Sequence, residues 1–171
     1  MADEKATDEA AATPTEGTAQ ENGKRISISK IYLKDFSFES PQTPQIFQTS
    51  EWKPQTNLNL RSSHGDLGND LHEVVLTITV EAKEGDKTLF LVELAQAGIF
   101  EIGGYEKGEY DAIVGSFCPN IMFPYAREAI AGAIQKGGFP EFVLQPINFD
   151  ALYVQSRQQA AAQESQAQEK H

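Results

Sequence analysis

Cysteine is almost absent from this 171-residue chain: Cys118 is the only one, so no disulfide can form within one chain. That usage is typical of a reducing compartment. Long hydrophobic runs are missing too, since the longest uncharged stretch, residues 112–126, is interrupted by two prolines and an asparagine. A membrane span needs roughly 20 apolar residues. The acidic first residues lack the apolar segment of a secretory signal, so we expect a soluble, cytoplasmic protein.

Basic residues are scarce: 14 lysines and arginines stand against 25 acids, and the formal net charge is −11. Nucleic acids and anionic membranes bind basic patches that displace counterions, so this balance argues against both. A partner with a basic surface would be attracted instead, most strongly at low salt.

Aromatic residues are missing from both ends of the chain. Residues 1–24 hold six acids and two bases, and residues 155–171 are mostly Gln, Ala, Ser and Glu. Neither segment has enough apolar surface to offset the entropy cost of ordering it. We therefore predict a disordered acidic tail at 1–24, a folded domain at 25–154 and a disordered Gln/Ala-rich tail at 155–171.

Alternating apolar residues predict four strands. In the first, residues 26–39, the alternation places Ile26, Ile28, Tyr32, Phe36 and Phe38 on one face and Ile31, Leu33, Asp35, Ser37 and Glu39 on the other. Residues 58–61 predict a second strand, ended by a turn at 62–66. Strands at 71–83 and 88–102 form a hairpin. The proline-containing residues 41–54 predict a long crossover loop.

The pattern becomes helical after the last strand. Residues 105–114 predict a short helix, and residues 124–136 predict a second one with Pro124 near its start. Residues 148–150 are suited to cap a short terminal helix. Strands followed by helices, without βαβ alternation, indicate an α+β domain with a four-stranded antiparallel sheet and helices on one face.

Catalytic chemistry has little support in the sequence. His64 lies in a predicted turn and His72 on a predicted strand, and no spacing ties either to Cys118 as a nucleophilic pair. No phosphate-binding glycine loop and no metal-ligand spacing is present, so we expect no enzyme activity, cofactor or metal. A small-molecule enzyme that uses Cys118 or His72 stays open as an alternative.

Apolar residues occur on both faces of the fourth strand: Phe90, Val92 and Leu94 on one, Leu89 and Leu91 on the other. One helical layer covers one face only, so the second needs a partner, either another copy or an extended polypeptide. Phe47, Trp52 and Tyr153 suit a polypeptide groove, because aromatic side chains bury large areas at low entropy cost.

Acidic residues share the other face of the same two strands. Asp35 and Glu39 lie on one face of the first strand, and Glu93 follows Leu91 on one face of the fourth. If these faces coincide, they form a flat patch with an apolar centre and a carboxylate rim. Such a patch is either plain solvated surface or a docking site for a basic partner.

Six segments of the chain resemble the SecB family. They are IYLKDFSFESP at 31–41, EVVLTITV at 73–80, GIF at 98–100, FCPNIMFPYARE at 117–128, GFP at 138–140 and LQPINFDALY at 144–153. The resemblance runs over nearly the whole of residues 25–154, in order and with compatible spacings, and leaves out only the tails.

The resemblance implies a homotetramer, a dimer of dimers, that binds unfolded secretory precursor proteins without ATP and delivers them to the SecA motor ATPase. It implies SecA contacts at Asp35, Glu39, Leu91 and Glu93. It also implies client grooves between the crossover loop and the helices, for which Phe47, Trp52, Phe149 and Tyr153 are the candidates by position. A family member dedicated to one client, and a structural oligomer without clients, are the alternatives.

Overall fold

The fold is seen in a computed structural model that describes residues 23–48 and 53–168. Four strands form one antiparallel sheet: β1 (Arg25–Glu39), β2 (Gln55–Gly68), β3 (Leu71–Glu84) and β4 (Lys87–Gly103). Their order across the sheet is β1-β4-β3-β2, so the connection between β1 and β2 crosses from one edge to the other. Within that connection, Gln45–Gln48 form one turn of 3₁₀ helix.

The helices follow the sheet in the chain. Helix α1 (Lys107–Ala112), a π-helical segment (Ile113–Phe117) and α2 (Cys118–Lys136) run on without a break, and α3 (Phe149–Gln168) comes last. Helix α2 ends where Gly138 adopts a φ of +84°, and the amides of residues 137–139 donate to its last carbonyl groups. The Oδ1 of Asn148 accepts a hydrogen bond from the amide of Ala151 at 3.0 Å, which confirms the predicted cap of the last helix.

The core lies between the sheet and the helices. Even-numbered residues of β3 and β4 face the helices, because side chains alternate along a strand. The fully buried ones include Val74, Leu76, Ile78, Val80, Val92, Leu94 and Phe100, and α2 contributes Cys118, Met122, Ala126, Ile130 and Ile134. The predicted α+β class, with an antiparallel four-stranded sheet and helices on one face, is confirmed.

Strand β1 carries two bulges, and these change which residues share a face. Ser29 and Lys34 are each one extra residue relative to β4, because Ile28 pairs with Phe100 and Lys30 with Ile99, while Leu33 pairs with Gln96 and Asp35 with Ala95. Each bulge reverses the alternation, so the two cancel outside residues 29–34. The predicted faces are therefore wrong for Ile31, Tyr32 and Leu33, and they hold for Phe36, Phe38, Asp35 and Glu39.

The second strand was predicted too short. β2 continues through residues 62–66, which were expected to form a turn, and these residues pair with β3 from Leu76 to His72. Ser, Gly and Asp favour turns, but a partner strand that supplies backbone hydrogen bonds overrides that preference. Leu89 also differs: it is an extra residue in β4 and is buried in the core, not on the face of Leu91.

The helix boundaries differ at both ends of the helical region. α2 begins at Cys118 with Pro119 in its first turn, and Pro124, the expected start, lies inside the helix. α3 continues to Gln168, through residues that were expected to be disordered. Ala and Gln favour helix strongly enough to extend one that has already begun. Residues 1–22 lie outside the described part of the chain, so disorder there stays a prediction.

Candidate functional site

The sheet face opposite the helices, here called the outer face, carries the first candidate site. The odd-numbered residues of β3, and those of β4 from Leu91 onward, lie on it. They are joined by β1 residues that pair with them, among them Lys30, Tyr32, Asp35, Ser37 and Glu39. Val75, Leu91, Ala95 and Ile99 on this face are partly exposed, whereas Ala97 is fully buried. The outer face is thus mixed in polarity, and no helix in the described part of the chain covers it.

Four residues of the outer face form what we call the acidic patch: Asp35, Glu39, Leu91 and Glu93. Glu39 lies directly opposite Leu91, and Asp35 is opposite Ala95, four residues further along the same strand pair. Ser37, between the two β1 acids, faces Glu93. Directly opposite residues in an antiparallel pair have Cβ atoms roughly 5 Å apart. The strand register therefore brings all four predicted residues together.

Charge is distributed unevenly over the outer face. Among the described residues, Asp35, Glu39 and Glu93 have no ion pair, whereas the other acids of this face do. Glu73 pairs with Lys34 at 2.7 Å, Glu101 with Arg25 at 2.7 Å and Glu81 with Lys83 at 2.9 Å. The acids without an ion pair among the described residues therefore lie along β1 and β4, from the Asp35–Ala95 pair to the Glu39–Leu91 pair, an arrangement that a basic partner with an apolar side chain would fit.

A groove on the helical side is the second candidate site. It has a volume of about 600 Å³ and lies between β2, the π-helical segment and α3. Its walls include Leu60 and His64 from β2, Val114 and Gly115 from the π-helical segment, and Leu152 and Tyr153 from α3. We call it the α3 groove. Its lining mixes apolar side chains with a larger number of polar and charged ones, among them Asp111 and Arg157, which form an ion pair at 3.5 Å.

The π-helical segment sets the position of α3 along this groove. Gly115 lets the Tyr153 ring approach its backbone: a Cβ added there would lie 2.5 Å from Tyr153 Cδ2. The hydroxyl of Ser116 donates to the carboxylate of Asp150 in the first turn of α3. π-helical turns recur at functional sites, where they change the direction of side chains.

Comparisons with known proteins agree with this architecture. The family model described as "Preprotein translocase subunit SecB" matches residues 19–160. Such a match covers most of the chain. The chain belongs to the SecB family.

Relatives in this family are close in sequence. The "Protein-export protein SecB" of Nitrosococcus oceani is 53% identical over 136 residues, which is 79% of this chain and 83% of that protein. The protein of the same name from Marinobacter nauticus is 45% identical over 158 residues, 91% of this chain and 95% of the other.

A solved structure shares the fold. It is a SecB-like chaperone of Mycobacterium tuberculosis in complex with a ChAD peptide from the HigA1 antitoxin. The TM-score is 0.61 with 14% sequence identity, and the match covers 72% of this chain and 91% of that one. At that identity the likeness concerns the fold alone.

The predicted client residues of this SecB family member lie in two places. Tyr153 and Phe149 line the α3 groove, although Phe149 is only 4% exposed and packs edge-on against Phe123 at 5.6 Å between ring centres. Phe47, 45% exposed, lies instead against Phe139 at 5.6 Å. Trp52 lies outside the described residues.

Phe47 belongs to a phenylalanine cluster at the far end of α2. Phe139 contacts Phe90 at 5.0 Å and Phe38 at 6.4 Å between ring centres, and Phe38 fills the space beside Gly137. The cluster fixes the crossover loop to the end of α2, so Phe47 is a separate apolar contact surface and not part of the α3 groove.

Sequence reasoning missed the β2 and π-helical walls of the α3 groove. His64 was hidden because residues 62–66 were predicted as a turn, which ended the alternation too early. Leu60 lay in the predicted strand, but the sequence did not show which helix packs beside it. Gly115 carried a usable signal, since a lone glycine inside an apolar helical run often marks a close approach of another element.

Cys118 and His72, the two residues considered for catalysis, both lie in packed surroundings. Cys118 is fully buried, and burial raises the pKa of its thiol to about 12, so the reactive thiolate is scarce at neutral pH. The Nδ1 of His72 lies 3.0 Å from the Tyr110 hydroxyl, a contact on the packed side of the sheet. Neither residue has the exposed, activated surroundings of a nucleophile or base.

Two further findings concern the described part of the chain. No cluster of three or more His, Cys, Asp or Glu side chains there has the arrangement needed to hold a metal ion. No helix there combines the length and the apolarity that crossing a membrane requires.

Proposed function

We propose that this protein is a chaperone of protein export that holds unfolded precursor chains without ATP and passes them to the SecA motor. The observation that carries the proposal is the acidic patch: three carboxylates that have no ion pair among the described residues lie with Leu91 along the β1–β4 pair, on a sheet face that no described helix covers, in a chain of the SecB family.

Client holding rests on the apolar surfaces of the helical side. The α3 groove offers Tyr153, with Phe149 beneath it, and Phe47 offers a second contact surface near the crossover loop. Many weak apolar contacts along one extended chain add up to tight binding through avidity. Trp52, which belongs to the same predicted crossover loop, is proposed as a further contact.

Assembly multiplies this effect. We propose a cytoplasmic homotetramer, a dimer of dimers, in which grooves of several protomers hold different stretches of one client. Two exposed aromatic residues, Phe117 at the end of the π-helical segment (44% exposed) and Tyr125 on α2 (54% exposed), support a subunit contact along this part of the helical layer. The protein acts by binding, without catalysis or a cofactor of its own.

SecA docking is proposed for the outer face. Asp35, Glu39 and Glu93 would attract a basic segment, and Leu91 would contact an apolar side chain within it. Charged rims mainly set the association rate and its salt dependence, while the apolar centre adds affinity. Docking on the outer face leaves the grooves of the helical side accessible, so holding a client and docking SecA are compatible.

Calorimetry tests the docking proposal. Purified SecA is titrated into the wild type and into Asp35→Ala/Glu93→Ala at low and at moderate salt. We expect tight, salt-sensitive binding by the wild type and a loss of roughly tenfold or more in the variant, since truncating charges at an interface costs about 1–3 kcal/mol. Gel filtration checks that the variant keeps its assembly.

Each alternative function predicts a different experimental result. No binding of SecA by the wild type, with suppression of client aggregation intact, would contradict the export role and support a chaperone dedicated to another task. Absence of any effect on the aggregation of denatured proteins would contradict client holding itself.

A further inference from the structure

The bulge at Lys34 lies next to the acidic patch and decides which way its β1 residues face. Lys34 is the extra residue between the pairs Leu33–Gln96 and Asp35–Ala95. A one-residue change of register in a strand moves every later side chain to the opposite face. Without this bulge, Asp35 and Glu39 would point toward the helices, and Phe36 and Phe38 toward the outer face.

Three side chains hold the bulge from the outer face; we call them the bulge network. Lys34 Nζ donates to both oxygens of Glu73, at 2.8 and 2.7 Å, and the Tyr32 hydroxyl donates to the same carboxylate. Glu73 lies on β3 and Tyr32 on β1, so the network spans β4, where Ala97 opposite Tyr32 leaves room for the contact.

A fourth side chain holds the bulge from the helical side. Gln96 is 4% exposed, one of two buried polar residues among those described, and its Nε2 donates to the Tyr32 carbonyl at 2.8 Å. Bulges interrupt the ladder of backbone hydrogen bonds, and a buried carbonyl needs another donor. Gln96 supplies it, which accounts for an amide in an otherwise apolar core.

The electrostatics of the network agree with a tight association. The hydrogen bond from Lys34 lowers the pKa of the Glu73 carboxyl, and the hydrogen bond to Glu73 raises the pKa of Tyr32. A lone exposed ion pair adds little, but a network of several groups with one member mostly buried adds more. The Glu73 side chain is only 21% exposed.

We propose that Tyr32, Lys34 and Glu73 are positioning residues: they fix the β1 bulge and thereby the direction of Asp35 and Glu39 in the acidic patch. The proposal rests on the proposed docking of SecA, which it deepens. The network does not supply docking charge, because the charges of Lys34 and Glu73 cancel each other.

Lys34→Met gives a test in which the positioning role and the change of charge predict opposite changes in the affinity for SecA. The substitution makes the outer face more negative by one unit, so charge alone would tighten the binding of a basic partner. Positioning predicts that SecA binding weakens about tenfold, the size typical of coupled neighbouring residues. Lys34→Arg keeps the ion pair and should bind as the wild type does.

Lys30→Met is the matched control. Lys30 lies on the outer face of the same strand opposite Ile99, and in the described part of the chain its side chain makes no ion pair or hydrogen bond. The charge change is the same as in Lys34→Met, so we expect binding that is unchanged or slightly tighter. Thermal unfolding and gel filtration establish that both variants are folded and assembled.

Amide hydrogen exchange gives a readout independent of SecA. Lys34→Met should speed exchange in residues 35–39, whereas Lys30→Met should not. SecA binding by Lys34→Met that equals or exceeds that of the wild type would overturn the proposal. If the wild type itself fails to bind SecA, the docking function fails separately, and unchanged exchange in residues 35–39 would then overturn the positioning role.

Discussion

At the scale of single residues, glycine and phenylalanine decide how closely elements approach. Gly115 accommodates the ring of Tyr153, and Gly137 accommodates that of Phe38. These contacts join α3 to the π-helical segment and β1 to the end of α2. A side chain at either position would meet an aromatic ring that is already packed.

Replacing Gly115 tests the first of these contacts. We expect Gly115→Ala to lower the free energy of unfolding by about 1–3 kcal/mol, the usual cost of overpacking, because the new methyl group meets Tyr153. Thermal and urea unfolding measure the change. In the double variant Gly115→Ala/Tyr153→Ala, the penalty specific to the methyl group should disappear.

Gly132→Ala is the control for the same substitution in a helix. A Cβ at Gly132 would meet only Glu128 Oε1, at 4.0 Å, so the clash is absent. Alanine favours helix over glycine, and we expect a gain of about 0.5–1 kcal/mol. Equal behaviour of the two alanine variants would contradict the role given to Gly115.

At the scale of elements, β1 is the informative strand, because its two bulges place a polar network and an acidic patch on one face. The stability that the network adds should depend on pH. Glu73 has a lowered pKa in the folded protein, so its contribution is fully present above its unfolded pKa, about 4.3, and is lost as the pH falls through the folded pKa.

The corresponding measurement compares unfolding of the wild type with that of Lys34→Met across pH. The wild type should be the more stable at pH 7, and the two should converge once Glu73 is protonated in the folded state. A difference that stays constant down to acid pH would show that Lys34 stabilises β1 without its pair with Glu73.

Most elements could be predicted from the sequence because their patterns are local. The alternation of β3 and β4 and the turn between them needed no tertiary information. The bulges of β1 could not be predicted, since they depend on the register against β4. The extension of β2 also depends on a partner strand, and turn-forming residues conceal it.

The residues of the candidate site also divide into those that local sequence patterns predict and those that depend on tertiary contacts. Asp35, Glu39, Leu91 and Glu93 were predicted from alternation and resemblance, and the register brings them together. The α3 groove required knowledge of which helix packs beside β2, so its Leu60 and Gly115 walls went unrecognised. Tyr32, Lys34 and Glu73 were not considered, because strict alternation placed Tyr32 on the opposite face.

At the scale of the whole molecule, the two sheet faces have different tasks in the proposed mechanism. The helical side holds the α3 groove and the Phe47 surface, and the outer face holds Leu91 with three carboxylates that have no ion pair among the described residues. Because the sites lie on opposite sides of one sheet, a client and SecA can be bound together.

The most direct measurement of this account is client transfer. A fluorescently labelled unfolded precursor is loaded on the wild type or on Asp35→Ala/Glu93→Ala, and its movement to SecA is followed over time. The account predicts equal holding by both proteins, with transfer to SecA only from the wild type. Equal transfer from the two, with holding intact, would contradict docking through the acidic patch and with it the central claim.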